Sequence, residues 1–108
     1  MNTVVIVGRA GRDAEKVDFV SGKSKATFSL AVNRWDSKTS AEVTDWFNIE
    51  VWDKQAEFAQ TYLKKGRLAV VEGRIRINTW TDQSGENRQS YLVTASNIRL
   101  LGSKRDTE

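Results

Sequence analysis

The sequence of 108 residues contains no cysteine and no histidine. Without cysteine the chain forms neither disulfides nor thiolate metal sites. Without histidine it lacks the commonest metal ligand and the commonest general base. The longest aliphatic run, residues 4–7, is far shorter than a membrane span or the apolar part of a signal peptide. We therefore expect a soluble intracellular protein with no metal and no cofactor.

The length and the charge set further limits. A chain of this size forms one ordinary small domain, which we place at residues 1–102, followed by a short polar end at 103–108. Lys and Arg number 17 against 14 Asp and Glu, which gives a net charge of +3. The sequence pI is 9.4. This charge suits an anionic partner but is too small to identify one.

Short β-runs bounded by Gly, Asn, Asp and Ser dominate the chain. Alternation predicts five strands, at residues 2–9, 26–35, 44–52, 68–80 and 90–101. One helix is predicted at residues 53–65. This order of three strands, one helix and two strands indicates an all-β protein with one helix between strands 3 and 4. It is the element order of the OB-fold, a five-stranded Greek-key barrel whose exposed face binds oligonucleotides or oligosaccharides.

Local signals refine these elements. Asp53 is expected to cap the helix, Lys64 and Lys65 suit its negative end, and Gly66 is expected to stop it. Gly73 predicts a bend or bulge in the fourth strand. Residues 81–89 are expected to form a hairpin loop with Ser84 and Gly85 at its tip.

The first strand is apolar on both faces, since its four consecutive aliphatic residues alternate in direction. In a small domain the barrel core covers only one of these faces. We expect a second protomer to cover the other, and hence a homo-oligomer.

The third strand separates core residues from tryptophans. Its odd positions Phe47, Ile49 and Val51 form a core face, so Trp46 and Trp52 lie with polar residues on the opposite face. The same alternation places every tryptophan of the chain on the polar face of a strand: Trp35, Trp46, Trp52 and Trp80.

An exposed tryptophan on a strand can belong to a satellite hydrophobic cluster, to a protein interface, or to a platform for flat ligands. Four of them interleaved with Arg, Lys and Asn favour single-stranded nucleic acid, because each base stacked on an aromatic ring contributes roughly 1 to 3 kcal/mol. An oligosaccharide site needs fewer cations. The candidate phosphate contacts are Arg9, Arg34, Lys38, Lys54, Lys64, Lys65, Arg74, Arg76 and Arg88. Arg74 and Arg76 are favoured because they share a face with Trp80.

Catalytic motifs are incomplete. Residues 21–24, SGKS, resemble the end of a P-loop, but Val17 stands where its leading Gly is required. Asp45 and Glu50 lie on opposite faces of one strand, which is a poor arrangement for paired acid and base catalysis. We expect that the protein is not an enzyme.

Five stretches together resemble the bacterial single-stranded DNA-binding protein family over nearly the whole chain: MNTVVIVGRAGRDAE, FSLAVNRW, TDWFNIEVWDKQAEFAQTYLKKGR, VVEGRI and WTDQSGENR. The resemblance implies an OB-fold protomer, assembled as a homotetramer, that wraps single-stranded DNA without strong sequence preference. It implies a cytoplasmic, nucleoid-associated role in DNA replication, repair and recombination. By motif, the family's stacking residues fall on Trp35, Trp46, Trp52 and Trp80, and its basic contacts on Lys38, Lys54, Lys65 and Arg76. The segment that pairs protomers falls on the first strand, with Asn2, Val4, Ile6 and Gly8.

The sequence departs from the family at two places. Ala14 stands where many members have Pro, which changes loop stiffness. The sequence also lacks the flexible linker and the acidic tail by which the family recruits other proteins, so tail-mediated recruitment is in doubt. Two alternatives stay open: a dimeric primosomal replication-restart protein of the same fold, and an adaptor whose tryptophans dock a partner protein.

Overall fold

The structure, a computed structural model, describes residues 1–102. The predicted polar end at 103–108 lies outside the described residues. Within the described part, the elements in chain order are the strands β1 (Val4–Ala10), β2 (Glu15–Asp18), β3 (Ser24–Asp36) and β4 (Ala41–Trp52), the helix α1 (Lys54–Tyr62), and the strands β5 (Leu68–Thr81) and β6 (Asn87–Leu100).

Five of these strands close into a barrel. The pairing order is β1-β5-β6-β4-β3, and a short antiparallel pairing of β1 with β3 closes the ring. Strands β4 and β6 run parallel, and the other neighbours run antiparallel. A closed five-stranded barrel with one helix is the architecture of the OB-fold, so the predicted fold class is confirmed.

The short strand β2 was not predicted. It has four residues, of which only Val17 is a large apolar residue, so no alternating pattern marks it. It pairs with one edge of β3 outside the barrel ring. Because β2 takes a place in the numbering, the helix lies between β4 and β5, which are the third and fourth strands of the barrel itself.

The core lies inside the barrel, where one face of each strand points. Phe28 and Leu30 of β3 lie opposite Ile49 and Phe47 of β4, as alternation predicted. Phe28, Leu30 and Ile49 are fully buried. Burial of each such side chain contributes about 1.5 to 3 kcal/mol. Helix α1 covers one end of this core with Ala56 and Ala59.

The helix begins after Asp53, as predicted, but ends earlier than predicted. Asp53 precedes it with φ of 55°, and its carboxylate accepts a hydrogen bond from the backbone N–H of Ser24 at 3.1 Å instead of capping the helix. The helix ends at Tyr62 because Leu63 turns extended and inserts into the core with no exposed surface. Lys64 and Lys65 therefore follow the helix and are not part of its last turn.

The β5–β6 pair contains the predicted irregularity. The register shifts between Glu72 and Gly73, which confirms the bulge. A Cβ at Gly73 would collide with the backbone of Thr94, so the close approach of β6 requires glycine there.

Beyond this bulge the two strands form a hairpin that extends past the core. Ile77 was predicted to face the core, but its side chain is exposed because the hairpin has left the barrel at that point. The strands reach Thr81 and start again at Asn87, so the turn spans 82–86 and is shorter than the predicted loop. Gly85, at the predicted tip, has φ of 85°.

Candidate nucleic-acid interface

The outer face of β3 and β4 holds three of the four tryptophans. Side chains that face each other across an antiparallel pair point to the same side of the sheet. The register pairs Trp46 with Ala31, Trp52 with Lys25 and Trp35 with Glu42. All three tryptophans therefore share the outer face of this strand pair, as alternation predicted.

The same face continues across β6 to β5. Glu50 of β4 aligns with Thr94 of β6, which in turn lies opposite Arg74 of β5. The Thr94 hydroxyl donates a 2.8 Å hydrogen bond to the Glu50 carboxylate, which fixes this row. The next row runs from Asn48 through Leu92 to Arg76.

The fourth tryptophan, Trp80, lies farther along β5 on the same side as Arg74 and Arg76, directly opposite Arg88. The order β3-β4-β6-β5 thus forms one continuous outer surface. We call it the tryptophan face and define it by six residues: Trp35, Trp46, Trp52, Trp80, Arg74 and Arg76.

The tryptophan face is extended. Trp46 and Trp52 are six residues apart on β4, which corresponds to roughly 20 Å along the strand. The exposed fractions of the four residues are 66% for Trp35, 55% for Trp46, 48% for Trp80 and 37% for Trp52. Rings spaced in this way can contact several units of a chain-like ligand, whereas a small molecule would meet only one of them.

Trp46 lies against Gly11, the residue that follows β1. A Cβ at Gly11 would lie 2.5 Å from Cζ3 of Trp46 and 2.6 Å from Oγ of Ser29. The Gly11 N–H donates to the Ser29 carbonyl at 2.9 Å, so this contact is part of the β1–β3 seam. The missing side chain at position 11 leaves room for the Trp46 indole. Sequence patterns did not indicate this contact.

Trp52 belongs to a small cluster at the end of β4. The ring of Phe19 stacks on it with centroids 5.9 Å apart and an angle of 23° between the planes. The Lys25 ammonium lies 5.7 Å from the Trp52 ring centroid. Neither neighbour was predicted, although an apolar Phe-Val pair beside the Ser-Gly turn signal marks the place in the sequence.

The predicted basic residues fall into two groups. Arg74 and Arg76 lie on the tryptophan face, and neither forms an ion pair or side-chain hydrogen bond with another residue of the described part. Lys38 lies in the turn after Trp35, and Lys54 is the first residue of α1, two positions after Trp52. Lys65 follows α1, and its backbone N–H donates a hydrogen bond to the Asp13 carboxylate at 2.7 Å.

Two weaker candidate cations are already paired. The Arg34 guanidinium donates to the Asp45 carboxylate at 2.7 Å, and this hydrogen bond and charge raise the Arg34 pKa above its ordinary value. Both side chains lie on the side of the β3–β4 pair opposite the tryptophans. Arg88 donates to Asp82 at 2.7 Å and lies 3.7 Å from Glu86. These contacts reduce the charge that either arginine offers to a phosphate.

Asp82 organises the turn that supports Trp80. Its carboxylate accepts hydrogen bonds from the hydroxyl of Ser84 at 2.6 Å and from the guanidinium of Arg88 at 2.7 Å. The backbone N–H groups of Ser84 and Glu86 donate to it at 2.9 and 3.0 Å. These bonds, the Ser84 hydroxyl first, lower the pKa of the Asp82 carboxyl to about 2. An open groove of about 540 Å³ beside this turn is lined by residues of both strands, Trp80 and Arg88 among them.

The predicted oligomer residues Val4, Ile6 and Gly8 share the inner face of β1, and Asn2 precedes the strand. Ile6 and Gly8 are buried inside the barrel, and Val4 packs against the core, so these positions do not present side chains to a partner. The side-chain amide of Asn2 bonds to the backbone of Ile75 at 2.8 and 3.1 Å. The apolar side chains that β1 exposes are Val5 and Val7, at 59% and 48%.

Other classes of site find no support in the described residues. Carboxylates of residues 1–102 do not gather in any group of three or more that could hold a metal ion. The helix found in that part of the chain is too short and too polar to cross a membrane.

Comparison with known proteins identifies the family. The model of the single-strand binding protein family matches residues 1–101. The chain belongs to this family. It is a family of DNA-binding proteins without enzymatic activity, in agreement with the expectation from the sequence.

Three relatives illustrate the breadth of the match. The chain is 46% identical over 107 residues to single-stranded DNA-binding protein 1 of Synechocystis, covering 98% of this chain and 88% of that protein. It is 40% identical over 109 residues to the protein of the same name from Nostoc, covering all of this chain and 89% of that protein. The single-stranded DNA-binding protein of Thermotoga maritima is 41% identical over 106 residues, covering 95% of this chain and 75% of that protein.

Proposed function

We propose that the protein binds single-stranded DNA on the tryptophan face, with little sequence preference. One observation supports this most strongly: four exposed tryptophans and the arginines Arg74 and Arg76 share a continuous surface of four strands. Membership of the single-strand binding protein family supports the same ligand, since the relatives are named for it.

Base stacking supplies the sequence-tolerant part of the affinity. The rings of Trp35, Trp46, Trp52 and Trp80 offer π-faces that accept any base, at roughly 1 to 3 kcal/mol per stacked base. Two stacked bases would thus contribute about 2 to 6 kcal/mol before the cost of ordering the strand.

Phosphate contacts supply the salt-dependent part. We assign them to five cations: Lys38, Lys54, Lys65, Arg74 and Arg76. Each phosphate neutralised on a single strand changes the slope of log K against log salt by about −0.7. If all five cations contact phosphates, the slope is roughly −3.5, five times that increment. The measured slope therefore reports how many of these cations contact phosphates.

The protein would protect single strands in the cytoplasm, at the nucleoid, while DNA is replicated, repaired or recombined. Such strands arise with any sequence. A surface that reads the flat faces of bases and the backbone charge, and not the base edges, suits that task.

We further infer that the protein acts as a homo-oligomer, as a tetramer by the resemblance. Residues 4–9 of β1 pair on one edge with β5. The other edge pairs with β3 from position 9 onward, and Gly8 already lies against the backbone of Ala31 in β3, so over residues 4–7 this edge pairs with no strand of the described part. This edge, with exposed Val5 and Val7 beside it, suits pairing with the same segment of a second protomer. Linked protomers would then hold one strand at several sites and gain avidity.

The proposal is tested with three ligands of equal length: oligo(dT), a duplex, and an abasic strand that keeps the phosphates but has no bases. Fluorescence anisotropy should show tight binding to oligo(dT), weaker binding to the abasic strand and weaker binding to the duplex. Arg76→Ala should weaken binding to oligo(dT), whereas Arg34→Ala should not, because Arg34 lies on the side of β3–β4 opposite the tryptophans and is paired with Asp45. Equal affinity for all three ligands, or binding to none, would refute the proposal.

A further inference from the structure

We propose that Phe19 is a fifth base-stacking residue, which forms with Trp52 a two-ring platform for a base at one end of the DNA path. This inference rests on the proposed binding of single-stranded DNA to the tryptophan face. It extends that face beyond β4 to the segment between β2 and β3.

The position of Phe19 follows from backbone pairing. Strand β2 lies along β3 with Asp18 opposite Ser24 and Val17 opposite Lys25, and Lys25 itself lies opposite Trp52. Phe19 comes directly after β2. It therefore stands beside the end of β4 on the outer side, where its ring reaches Trp52 at 5.9 Å.

Phe19 is held at a fixed place although it lies in a connection. Its backbone N–H donates to the Lys23 carbonyl at 2.8 Å, and its carbonyl accepts from the Gly22 N–H at 2.9 Å. The chain thus turns tightly after Phe19 and returns to β3. A ring anchored in this way loses little conformational freedom when a ligand stacks on it.

The barrel core does not require Phe19. On the inner side of the same strand ends, Ala26 and Val51 are completely buried and close the core without it. Phe19 lies on the opposite side and remains 41% exposed while it stacks on Trp52. A large apolar ring kept half in water beside a second ring suits a flat ligand.

The chemistry around the two rings matches a nucleotide. The Lys25 ammonium lies 5.7 Å from the Trp52 ring centroid. In the sequence, Lys23 follows Phe19 by four positions and Lys54 follows Trp52 by two. A nucleotide offers a flat base to the rings and an anionic phosphate to these cations. This complementarity favours DNA, and not an apolar partner, as the ligand of the two rings.

The spacing of the rings decides where the base binds. A base inserted between two rings would lie roughly 3.5 Å from each of them, because carbon atoms in contact are 3.5 to 4.0 Å apart. The two rings would then have to be about 7 Å apart. The two centroids are 5.9 Å apart, so no base fits between them as they stand. The base therefore stacks on the free face of Phe19 and continues the stack that Trp52 begins.

The test compares variants that remove the ring with variants that keep it. Phe19→Leu keeps the apolar contact with Trp52 but has no π-face, whereas Phe19→Tyr keeps the ring. Phe19→Leu should bind oligo(dT) roughly 5-fold to 150-fold more weakly than the parent, the range for loss of one stacked base. Phe19→Tyr should bind like the parent. Val20→Ala, which changes a fully exposed apolar residue of the same turn, should also bind like the parent.

Thermal unfolding of Phe19→Leu at the same temperature as the parent would establish that its fold is intact.

The outcomes separate this inference from the proposed function. If the parent binds oligo(dT) but Phe19→Leu binds equally well or more tightly, Phe19 only covers Trp52 and the inference is wrong. If the parent itself fails to bind oligo(dT), the proposed function fails first.

Discussion

Alanine substitutions at two residues of β4 should have different effects, one on DNA binding and the other on the stability of the barrel. Trp46 and Ile49 lie three positions apart and point to opposite faces of the strand, with 55% and 1% of their surfaces exposed. Trp46→Ala removes one stacking ring, so its affinity for oligo(dT) should fall by about 1 to 3 kcal/mol. Ile49→Ala leaves a cavity in the core, so its free energy of unfolding should fall by about 2 to 5 kcal/mol.

Each variant is measured twice, by anisotropy with labelled oligo(dT) at one salt concentration and by urea unfolding without DNA. More than half of the Trp46 surface faces water, so its loss should lower the unfolding free energy much less than the loss of Ile49. Ile49→Ala keeps every residue of the tryptophan face, so its folded fraction should bind like the parent. The reasoning is refuted if Trp46→Ala unfolds as easily as Ile49→Ala while its folded fraction binds oligo(dT) normally.

Further changes test the cations, the β5–β6 turn and β1. Arg76→Leu should reduce the slope of log K against log salt by about 0.7, as expected for one lost phosphate contact. Arg34→Leu, whose guanidinium is bonded to a carboxylate at 2.7 Å, should leave that slope unchanged; equal effects would contradict the assignment. The pKa of the Asp82 carboxyl is lowered to about 2. Its hydrogen bonds therefore stabilise the hairpin fully at any pH above the ordinary pKa of an aspartate, and this stabilisation is lost only as the pH falls through about 2. An NMR titration should place the midpoint near 2, and an ordinary midpoint would count against the hydrogen-bonded turn. Val7→Glu should lower the mass measured by light scattering, whereas Val20→Glu should not; an unchanged mass for Val7→Glu would exclude β1 as the interface.

Alternation of side chains was sufficient to predict the barrel and its two faces. Phe28 and Leu30 of β3 and Phe47, Ile49 and Val51 of β4 face the core, and the tryptophans fall on the other side. The prediction succeeds because one side of each strand is buried and the other is not, so apolar and polar residues alternate in the sequence with a period of two.

Features set by tertiary contacts could not be predicted. The helix stops at Tyr62 because Leu63 is needed in the core, which overrides the good helix formers that follow. Ile77 is exposed because the β5–β6 hairpin continues past the end of the barrel, and strand alternation alone does not show where a core ends. In both cases the three-dimensional extent of the core decides the outcome.

The tryptophans of the candidate site were predicted from the sequence, whereas the residues that contact them were not. Every tryptophan was assigned to its face from the sequence. Gly11 under Trp46 and Phe19 on Trp52 come from segments far away in the chain, so strand patterns carry no sign of these contacts. The pairing of Arg34 with Asp45 likewise depends on the β3–β4 register.

Tryptophan fluorescence during titration with poly(dT), at low and at high salt, tests the central claim most directly. If bases stack on the tryptophan face and cations contact phosphates, DNA should quench the fluorescence strongly and the affinity should fall as salt rises. Unchanged fluorescence at low salt, together with no shift in electrophoretic mobility, would contradict the account.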